Sequence, residues 1–515
     1  MGKASNGTRE CCTARDVLWY LTFFGFAVNY MLRTNLNIAI VSMVKTRTTT
    51  NHTLTSECLV ENVTEIFENH FSKQTNLTEN EFNVTQVAPT SLLFPWNEKQ
   101  QSAILGGYFW LHWVTQIPGG ILGSKYGTKI VFGLSNFIAV LGCFFVPMAA
   151  YMGHHYLLAL RMFQGMIAGF AWPAMHNMTA RWIPPNERSK FVTAYLGSSM
   201  GAALTYPVCG FIIHRWGWEW VFYTSGLAGT VWFIAWWFLV YDSPAKHPRI
   251  SEQEKEYILN SLGQTYTKHK APVPWKDLLL SVPVWMNVLA QWGGLWGFFT
   301  LMTHTPSYFK FIHGWSIQAT GFLSGLGHVL RTTWAYISAL LGDYLLRTNR
   351  MSRTNVRKLA TAGCTIGQGV CMLGLAFSGC DYTWAVVWLS AAVAMNGSVS
   401  TGPLASIVDI SPNYASVVLG LVNSVAAFVG FLTPAVVGQF TFQNQTVKQW
   451  QKVFFVSTGM LVSSGVLYLL FATSDLQPWN SPDVKKTKNE SELISIKNKE
   501  EKEEEKNEQS VTIKQ

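Results

Sequence analysis

The chain has 515 residues, of which 49% are hydrophobic and only 13% charged, and it contains 22 tryptophans and 32 phenylalanines. Soluble domains carry about a quarter charged residues, so this composition argues against an ordinary soluble protein and predicts an all-α protein with many membrane crossings. The net charge of +9 does not indicate a nucleic-acid partner, because the basic residues lie between apolar segments, where they set membrane topology.

Segments long enough to cross a bilayer recur along the whole chain. A spanning helix needs about 20 mostly apolar residues. Two halves of six such segments, residues 17–241 and 283–473, are joined by a polar linker at 242–282, and this plan is typical of transporters built from repeats. The twelve predicted spans are 17–44, 101–122, 130–150, 156–180, 191–213, 220–241, 283–310, 317–346, 357–378, 383–408, 415–440 and 451–473.

A polar loop at residues 45–100 separates the first two spans and predicts the orientation. Several Asn-X-Ser/Thr sequons in one connection indicate an extracellular or luminal loop. The basic residues of the other connections fall on the opposite side, so we expect the N-terminus (1–16) and the tail (474–515) to be cytosolic. The predicted glycosylation sites are Asn51, Asn62, Asn76 and Asn83.

The linker and the tail are the main polar segments outside that loop. Residues 251–262 predict a short amphipathic helix, with Ser251 and Glu254 placed as a capping box. From residue 474 the chain becomes polar and ends in a run of lysines and glutamates, which predicts a disordered tail.

Metal, cofactor and enzyme motifs are not found in the sequence. The eight cysteines are scattered, without CxxC pairs or zinc-ligand spacing, so neither a disulfide framework nor a metal site is predicted. The glycine clusters lie in apolar spans, and no HExxH or Walker lysine motif occurs. The single GxSxG match, GSSMG at residues 197–201, lies within a predicted apolar span rather than between a strand and a helix. We therefore expect no enzyme and no cofactor.

The fourth span carries Arg161 a few residues from its start. A charge inside the membrane usually faces a partner or a water-filled path. Gly165, Ala168 and Gly169 follow at helical spacing, so one face of this helix is a trough of small residues headed by a guanidinium. That face predicts the lining of a substrate path. The alternative is an arginine that extends to the membrane interface.

Two further arginines lie within predicted spans, Arg33 beside Asn35 and Arg331 near His328. Three arginines on separate helices, without a carboxylate partner evident for each, predict a positively charged cavity. Arginine binds carboxylate or phosphate in a fork geometry, so the predicted ligand is an anion. The alternative for each arginine is a structural role, in which it forms an ion pair or donates hydrogen bonds to backbone carbonyls.

The other ionisable residues in the spans are interpreted as structural. His112 and His176 are each expected to be core histidines, the alternative being contact with the transport path. Asp409, placed near an external helix end, is expected to be a helix or loop partner rather than a proton carrier.

Several segments resemble one transporter family over nearly the whole chain. The twelve-span plan resembles the major facilitator superfamily, and the closer resemblance is to its anion:cation symporter branch, which includes type I sodium/phosphate cotransporters, sialin and vesicular glutamate transporters. The similarity rests on LRTNLNIAIVSMV, FWLHWVTQIPGG, RMFQGMIAGFAWPAMHNMTARWIPPNERS, GWEWVFYTSG, YDSPAKHPRIS and LQPW. It implies that Arg33 and Arg161 bind the anion.

Four positions differ from the residues that are typical of that family, and they favour one of its branches over the others. Proton-coupled members carry a glutamate where this chain has Ala168, and the vesicular glutamate transporters have a histidine at Leu105 and an arginine at Gly294. The loop after the second span has Ser124 in place of the usual aspartate. Losing a buried carboxylate removes the obvious proton carrier, so the phosphate-transporter branch fits better.

These observations predict a secondary active anion transporter, most simply a sodium-dependent phosphate cotransporter in which Arg33 and Arg161 hold the anion near the midplane. Arg331, Asn35 and His328 are the other predicted substrate-binding residues. The expected partners are a small anion, sodium and the lipid bilayer, and the expected state is a monomer in the plasma membrane. The alternatives are a carrier of organic anions or sialic acid in lysosomes or vesicles, and a membrane receptor that does not transport.

Overall fold

The computed structural model describes residues 13–45, 56–58, 93–184, 191, 193–263 and 273–480, which are almost entirely helical. The first half contains α1 Ala14–Met43, α2 Glu98–Trp110, α3 Gln116–Tyr126, α4 Thr128–Met152, α5 His154–Ala168, α6 Ala171–Trp182, α7 Gly197–Trp216 and α8 Glu219–Leu239. The linker contains α9 Glu252–Gly263 and the short α10 Trp275–Leu279. The second half contains α11 Val282–Phe311, α12 Ile317–Arg347, α13 Arg353–Ala362, α14 Gln368–Ala376, α15 Tyr382–Met395, α16 Pro403–Ile410, α17 Ala415–Ala427, α18 Val429–Thr441 and α19 Val447–Phe471.

Each predicted span coincides with one helix or with two consecutive helical segments, and the edges agree to within about four residues, the uncertainty normal for helix ends. Among the described residues, six helices are long and apolar enough to cross a membrane by composition alone, so the count of twelve crossings stays a prediction. The other predicted spans fall short for one of two reasons. Three are divided into helices of 15 residues or fewer, and the remaining three, α1, α11 and α12, carry polar residues. In α1, for example, Asn29, Arg33, Asn35 and Asn37 are all buried.

The bundle is apolar outside and partly polar inside, the reverse of a soluble protein. Large side chains such as Phe24, Leu227 and Phe238 are more than half exposed, while many asparagines, serines and threonines are buried. An apolar outer surface of this kind is suited to lipid. This confirms the all-α membrane fold.

Several spans are interrupted near the middle of the bundle. α2 and α3 are separated by a turn at 111–115, α5 and α6 by two residues at 169–170, and α15 and α16 by a 3₁₀ segment, Asn396–Ser400. Irregular backbone at membrane depth is tolerated where it is buried in protein or lines a cavity. These interruptions therefore lie around the interior, where the polar residues gather.

The two halves meet along two helix pairs, α7 against α12 and α2 against α18. A disulfide joins Cys58, in the loop of the first half, to Cys380, in the turn before α15. We call this the disulfide end of the bundle, and the opposite end, where α1 begins and the linker lies, the linker end. The cysteines were expected to form no disulfide framework; this pair joins residues 322 positions apart, which sequence spacing cannot indicate.

The predicted capping box of the linker helix forms only in part. Ser251 accepts from the backbone N–H of Glu254, as expected. The Glu254 carboxylate, however, accepts from the backbone N–H groups of Ala14 and Arg15 and from Nε of Arg15. The linker helix is thereby fastened to the first turn of α1.

The first residues of the predicted tail are packed. Trp479 and Asn480 are buried, and Asn480 bonds both the backbone N–H and the side-chain amide of Asn413. The rest of the tail, from residue 481, lies outside the described residues. So do the four predicted glycosylation sites, Asn51, Asn62, Asn76 and Asn83.

Candidate anion-binding site

Arg33 lies in the middle of α1, about 15 Å from its disulfide end at 1.5 Å per residue. Its side chain is buried, and its Nη2 lies 3.2 Å from Nε2 of His112. The guanidinium carbon lies 4.8 Å from the ring centre of Tyr30 and 5.6 Å from that of Tyr108. The charge is therefore held by aromatic faces and an imidazole, with Nε unpartnered among the described residues.

Arg161 is enclosed more completely and is only 1% exposed. Its Nη1 donates to the carbonyl of Leu32 at 2.9 Å and to Oε1 of Gln164 at 3.1 Å, and its Nε has no partner among the described residues. The alternative that Arg161 extends to the membrane interface is wrong, because its side chain points into the bundle.

Tyr108 connects these two arginines. Its ring lies under both guanidinium groups, 4.9 Å from that of Arg161, and its hydroxyl has no partner among the described residues. Sequence reasoning missed this residue, since one tyrosine in an aromatic-rich span has no distinguishing signal. The site thus brings two positively charged guanidinium groups to one buried aromatic ring.

The small residues after Arg161 bring the second span close. A side chain at Gly165 would overlap the carbonyl of Tyr108, and one at Gly169 would overlap Thr115 and the carbonyl of His112. Ala168 is fully buried. In this conformation the glycines face protein backbone, so their predicted role in lining a substrate path stays a prediction.

Asn35 lies behind Arg161 rather than beside Arg33. Its Nδ2 is 3.9 Å from Sγ of Cys143, which also contacts the side chain of Gln164, the acceptor of Arg161. The side-chain amide oxygen of Asn35, Oδ1, is buried without a partner among the described residues. Asn35 therefore belongs to the polar network that supports Arg161.

Arg331 approaches from the second half and bonds both halves. Its Nε donates to Oδ1 of Asn396 at 2.9 Å, and its Nη1 donates to Ser199 on α7 at 2.7 Å. Asn396 is fixed in turn by donating to the carbonyl of Gly294. Asn396 and Ser199 were not predicted; only the tertiary contact identifies them.

His328, one turn before Arg331, lies where the halves touch. Its ring stacks on Tyr206 at 5.8 Å and meets the edge of Phe298, whose face also carries Arg331. Its Nδ1 is buried without a partner among the described residues. The structure thus places His328 beside Arg331, as predicted, but nearer the disulfide end.

Charge balance distinguishes this region from the rest of the molecule. The ion pairs among the described residues join Arg15 to Glu254, Lys255 to Glu252, and Arg353 and Arg357 to Asp409. All of them lie at the linker end. Asp409 is a helix partner, as predicted, but it lies at the same end as the start of α1, so its predicted external position is incompatible with the predicted cytosolic N-terminus. The site arginines instead have neutral partners, and unpartnered buried N–H groups are costly unless a ligand fills them. Such a set of donors is suited to an anion.

The comparisons with known proteins agree with this architecture. The family model for the Major Facilitator Superfamily matches residues 22–434. Human sialin is 36% identical over 91% of this chain and 91% of that protein's length. Vesicular glutamate transporter 3 of Danio rerio is 32% identical over 91% and 75%. A protein of Drosophila melanogaster named "Putative inorganic phosphate cotransporter" is 31% identical over 92% and 88%.

Solved structures show the same fold at low sequence identity. The crystal structure of a bacterial homologue of the human lysosomal transporter Spinster, inward-facing and unoccupied, superposes with a TM-score of 0.61 at 13% identity. It covers 92% of this chain and 100% of that one.

Proposed function

The chain belongs to the Major Facilitator Superfamily, and from that premise we propose that it is a secondary active anion transporter whose substrate is inorganic phosphate. Its relatives are carriers, and the chain is a multi-pass membrane transporter rather than an enzyme. The observation that carries the proposal is that the guanidinium groups of Arg33 and Arg161 both lie over the ring of Tyr108. Among the described residues, each of these arginines has an unpartnered Nε and neither has a carboxylate partner.

Phosphate fits this arrangement because it carries more than one negative charge and presents several acceptor oxygens to arginine forks. Arg331 supplies a third guanidinium from the second half, and Tyr30, which holds Arg33, is also an electrostatic neighbour of Arg331. An anion bound between the halves would be reached by guanidinium groups of both. Rocking of the halves about such a site is alternating access.

A second candidate is an organic carboxylate such as sialic acid. Human sialin is 36% identical to this chain, against 31% for the Drosophila melanogaster protein named "Putative inorganic phosphate cotransporter". The rings around the arginines (Tyr30, Tyr108, Phe109 and Phe298) offer apolar faces that a sugar acid would use and phosphate would not.

The coupling ion and the membrane are further parts of the proposal. Sodium stays the ion predicted from the family resemblance; among the described residues no cluster of three acidic, histidine or cysteine side chains gathers to support a cation. We propose that the linker end is cytosolic, because a disulfide at the opposite end requires an oxidising compartment. Residence in the plasma membrane and a monomeric state stay predictions.

The test is uptake of radiolabelled phosphate and, separately, sialic acid into proteoliposomes, with and without a sodium gradient. Arg33→Lys keeps the charge but removes the fork, and we expect at least about tenfold slower uptake, the equivalent of about 1.4 kcal/mol. Arg249→Ala, an exposed linker position, is the matched control and should behave as wild type.

Three results would change the assignment. If phosphate uptake is unaffected by Arg33→Lys and by Arg33→Ala, then Arg33 does not bind the transported anion and the proposed site is wrong. Sialic acid flux without phosphate flux would replace the substrate. Saturable binding of either anion without flux would favour a receptor over a transporter.

A further inference from the structure

We propose that His112 carries the proton that enters the site together with the anion, an inference that rests on the proposed anion transport. No carboxylate lies beside the site arginines among the described residues, so a proton carrier has to be another group. His112 is the imidazole that contacts one of those arginines directly.

The contacts of His112 fix its protonation state. Nδ1 lies 3.0 Å from the carbonyl oxygen of Gly165, and a carbonyl only accepts, so Nδ1 carries the hydrogen. Nε2 lies 3.2 Å from Nη2 of Arg33, and a guanidinium only donates, so Nε2 presents its lone pair. The ring is therefore neutral, with its free basic nitrogen facing the anion-binding arginine.

The packing of α5 against the second span makes this geometry available. Gly169 has no side chain to block the His112 backbone, and Gly165 admits the backbone of Tyr108. The imidazole therefore reaches the α5 carbonyl and holds one tautomer. The small face that predicted a substrate path in the sequence thus has a second use, which is to orient the histidine.

The surroundings of His112 disfavour a second positive charge while the site is empty. Arg33 faces it from α1, the Gly165 carbonyl from α5, and the rings of Tyr108 and Phe109 from its own helix. Arg161 lies behind Tyr108. Burial disfavours a charged ring, and with two guanidinium groups but no carboxylate nearby among the described residues, an added proton is also repelled.

An arriving anion reverses that balance. The anion accepts the hydrogen bond that Arg33 Nη2 otherwise donates to His112. The lone pair of Nε2 then faces the negative charge of the anion, and the two repel each other unless a hydrogen lies between them. Either a proton binds Nε2, giving an imidazolium that donates to the anion, or the anion arrives with its own acidic hydrogen and donates it to Nε2. In both cases one proton accompanies one anion, and by linkage the proton and the anion raise each other's affinity.

Other buried histidines lack this arrangement. His304 packs at 6.4 Å from the ring of Trp450 in the second half, and His328 stacks on Tyr206. His304 is buried to a similar degree as His112, so it is a suitable matched control for replacing a buried imidazole.

The test uses full-length protein in proteoliposomes, with the membrane potential clamped at zero and phosphate, sialic acid and glutamate as separate probes. For a transported probe, coupling to one proton gives up to about tenfold accumulation per unit of pH gradient in wild type. In His112→Gln, whose amide can still accept from Arg33, we expect accumulation to fall to about onefold, at whatever rate the variant exchanges the anion at equal pH. His304→Gln should accumulate like wild type.

Proton uptake on addition of the anion to weakly buffered protein provides the second readout, and it does not depend on turnover. We expect uptake in wild type and in His304→Gln and none in His112→Gln, even if that variant no longer exchanges. Accumulation or proton uptake that persists in His112→Gln, or that disappears instead in His304→Gln, would overturn the inference while leaving anion transport intact. Absence of flux for all three probes in wild type would remove the proposed function and this inference with it.

Discussion

The two ends of the bundle are held together in different ways. At the disulfide end the contacts cross between the halves: the Tyr206 hydroxyl and, at 3.2 Å, the amide of Asn37 both donate to the carbonyl of Met302 on α11. The carboxylate of Glu57, next to the disulfide, accepts from the first backbone N–H of α19.

At the linker end the strong contacts stay within one unit. Arg357 and Asp409 both belong to the second half and form an ion pair at 2.7 Å. Arg15 and Glu254, at 2.8 Å, join the first half to the linker helix. Bonds that cross the halves must break in a transport cycle, whereas bonds within a half need not. This conformation is therefore closed at the disulfide end.

The disulfide is a cross-half link that need not break. Beside the bond to Cys380, the backbone N–H of Cys58 donates to the carbonyl of Ile312 at 3.2 Å, so both attachments of this cysteine are to the second half. The disulfide therefore keeps residues 56–58 on the second half while the first half moves.

The largest expected effect comes from the ion pair at the linker end. Arg357 and Asp409 are both only about 15% exposed. Arg357→Ala leaves the partly buried carboxylate with only the exposed Arg353, 3.9 Å away. We expect a loss of about 3 kcal/mol in the free energy of unfolding, measured by denaturation in detergent. Arg353→Ala is the control, because Arg353 is 64% exposed and 3.9 Å from the same carboxylate; equal losses in the two variants would contradict the role of burial.

Removing the disulfide should lower the free energy of unfolding by a similar amount. For Cys58→Ser we expect a loss of about 2–4 kcal/mol, with Cys380→Ser and the double variant giving the same value because one bond is lost in each. Reductant should lower wild type to the level of the variants and leave them unchanged. Additive losses in the double variant would show that the two cysteines act separately.

Acid should weaken the disulfide end through His313. Burial lowers the pKa of His313 to about 4, against a smaller opposing effect of Asp381. Between its ordinary pKa and that value the unfolded chain binds a proton that the folded chain does not, so stability is full above this window and falls as the pH drops through it. We expect a loss of about 2 kcal/mol by about pH 5. His313→Gln should flatten the pH dependence of the melting temperature; an unchanged slope would contradict this.

The smallest expected effect is a shift between conformations. Tyr206→Phe removes one cross-half bond, worth about 1 kcal/mol, and should favour opening of the disulfide end about fivefold. The measurement is the alkylation rate of a Ser324→Cys background, since Ser324 shares a small cavity with Tyr206 and Met302. Tyr195→Phe is the control, because its hydroxyl bonds Thr179 within the first half; a similar rate increase there would exclude a gating role.

The sequence by itself determined the helical plan. Bilayer thickness requires long apolar runs, so the edges of the predicted spans agree with the helices to within about four residues. Burial of charge is costly enough that Arg33 and Arg161 could be selected without a structure. The linker helix was predictable from local sequence alone, because a capping residue is followed there by apolar residues at helical spacing.

Only the tertiary structure decided what those residues touch. Tyr108 and His112 have no sequence signal of their own, and they join the site because Gly165 and Gly169 let two helices approach. Glu254 caps α1 instead of its own helix, and Cys58 finds Cys380 across 322 residues. Local sequence patterns predict where helices form and which buried residues carry a large energetic cost. Partners distant in the chain are set by how the helices pack, and no local pattern records that packing.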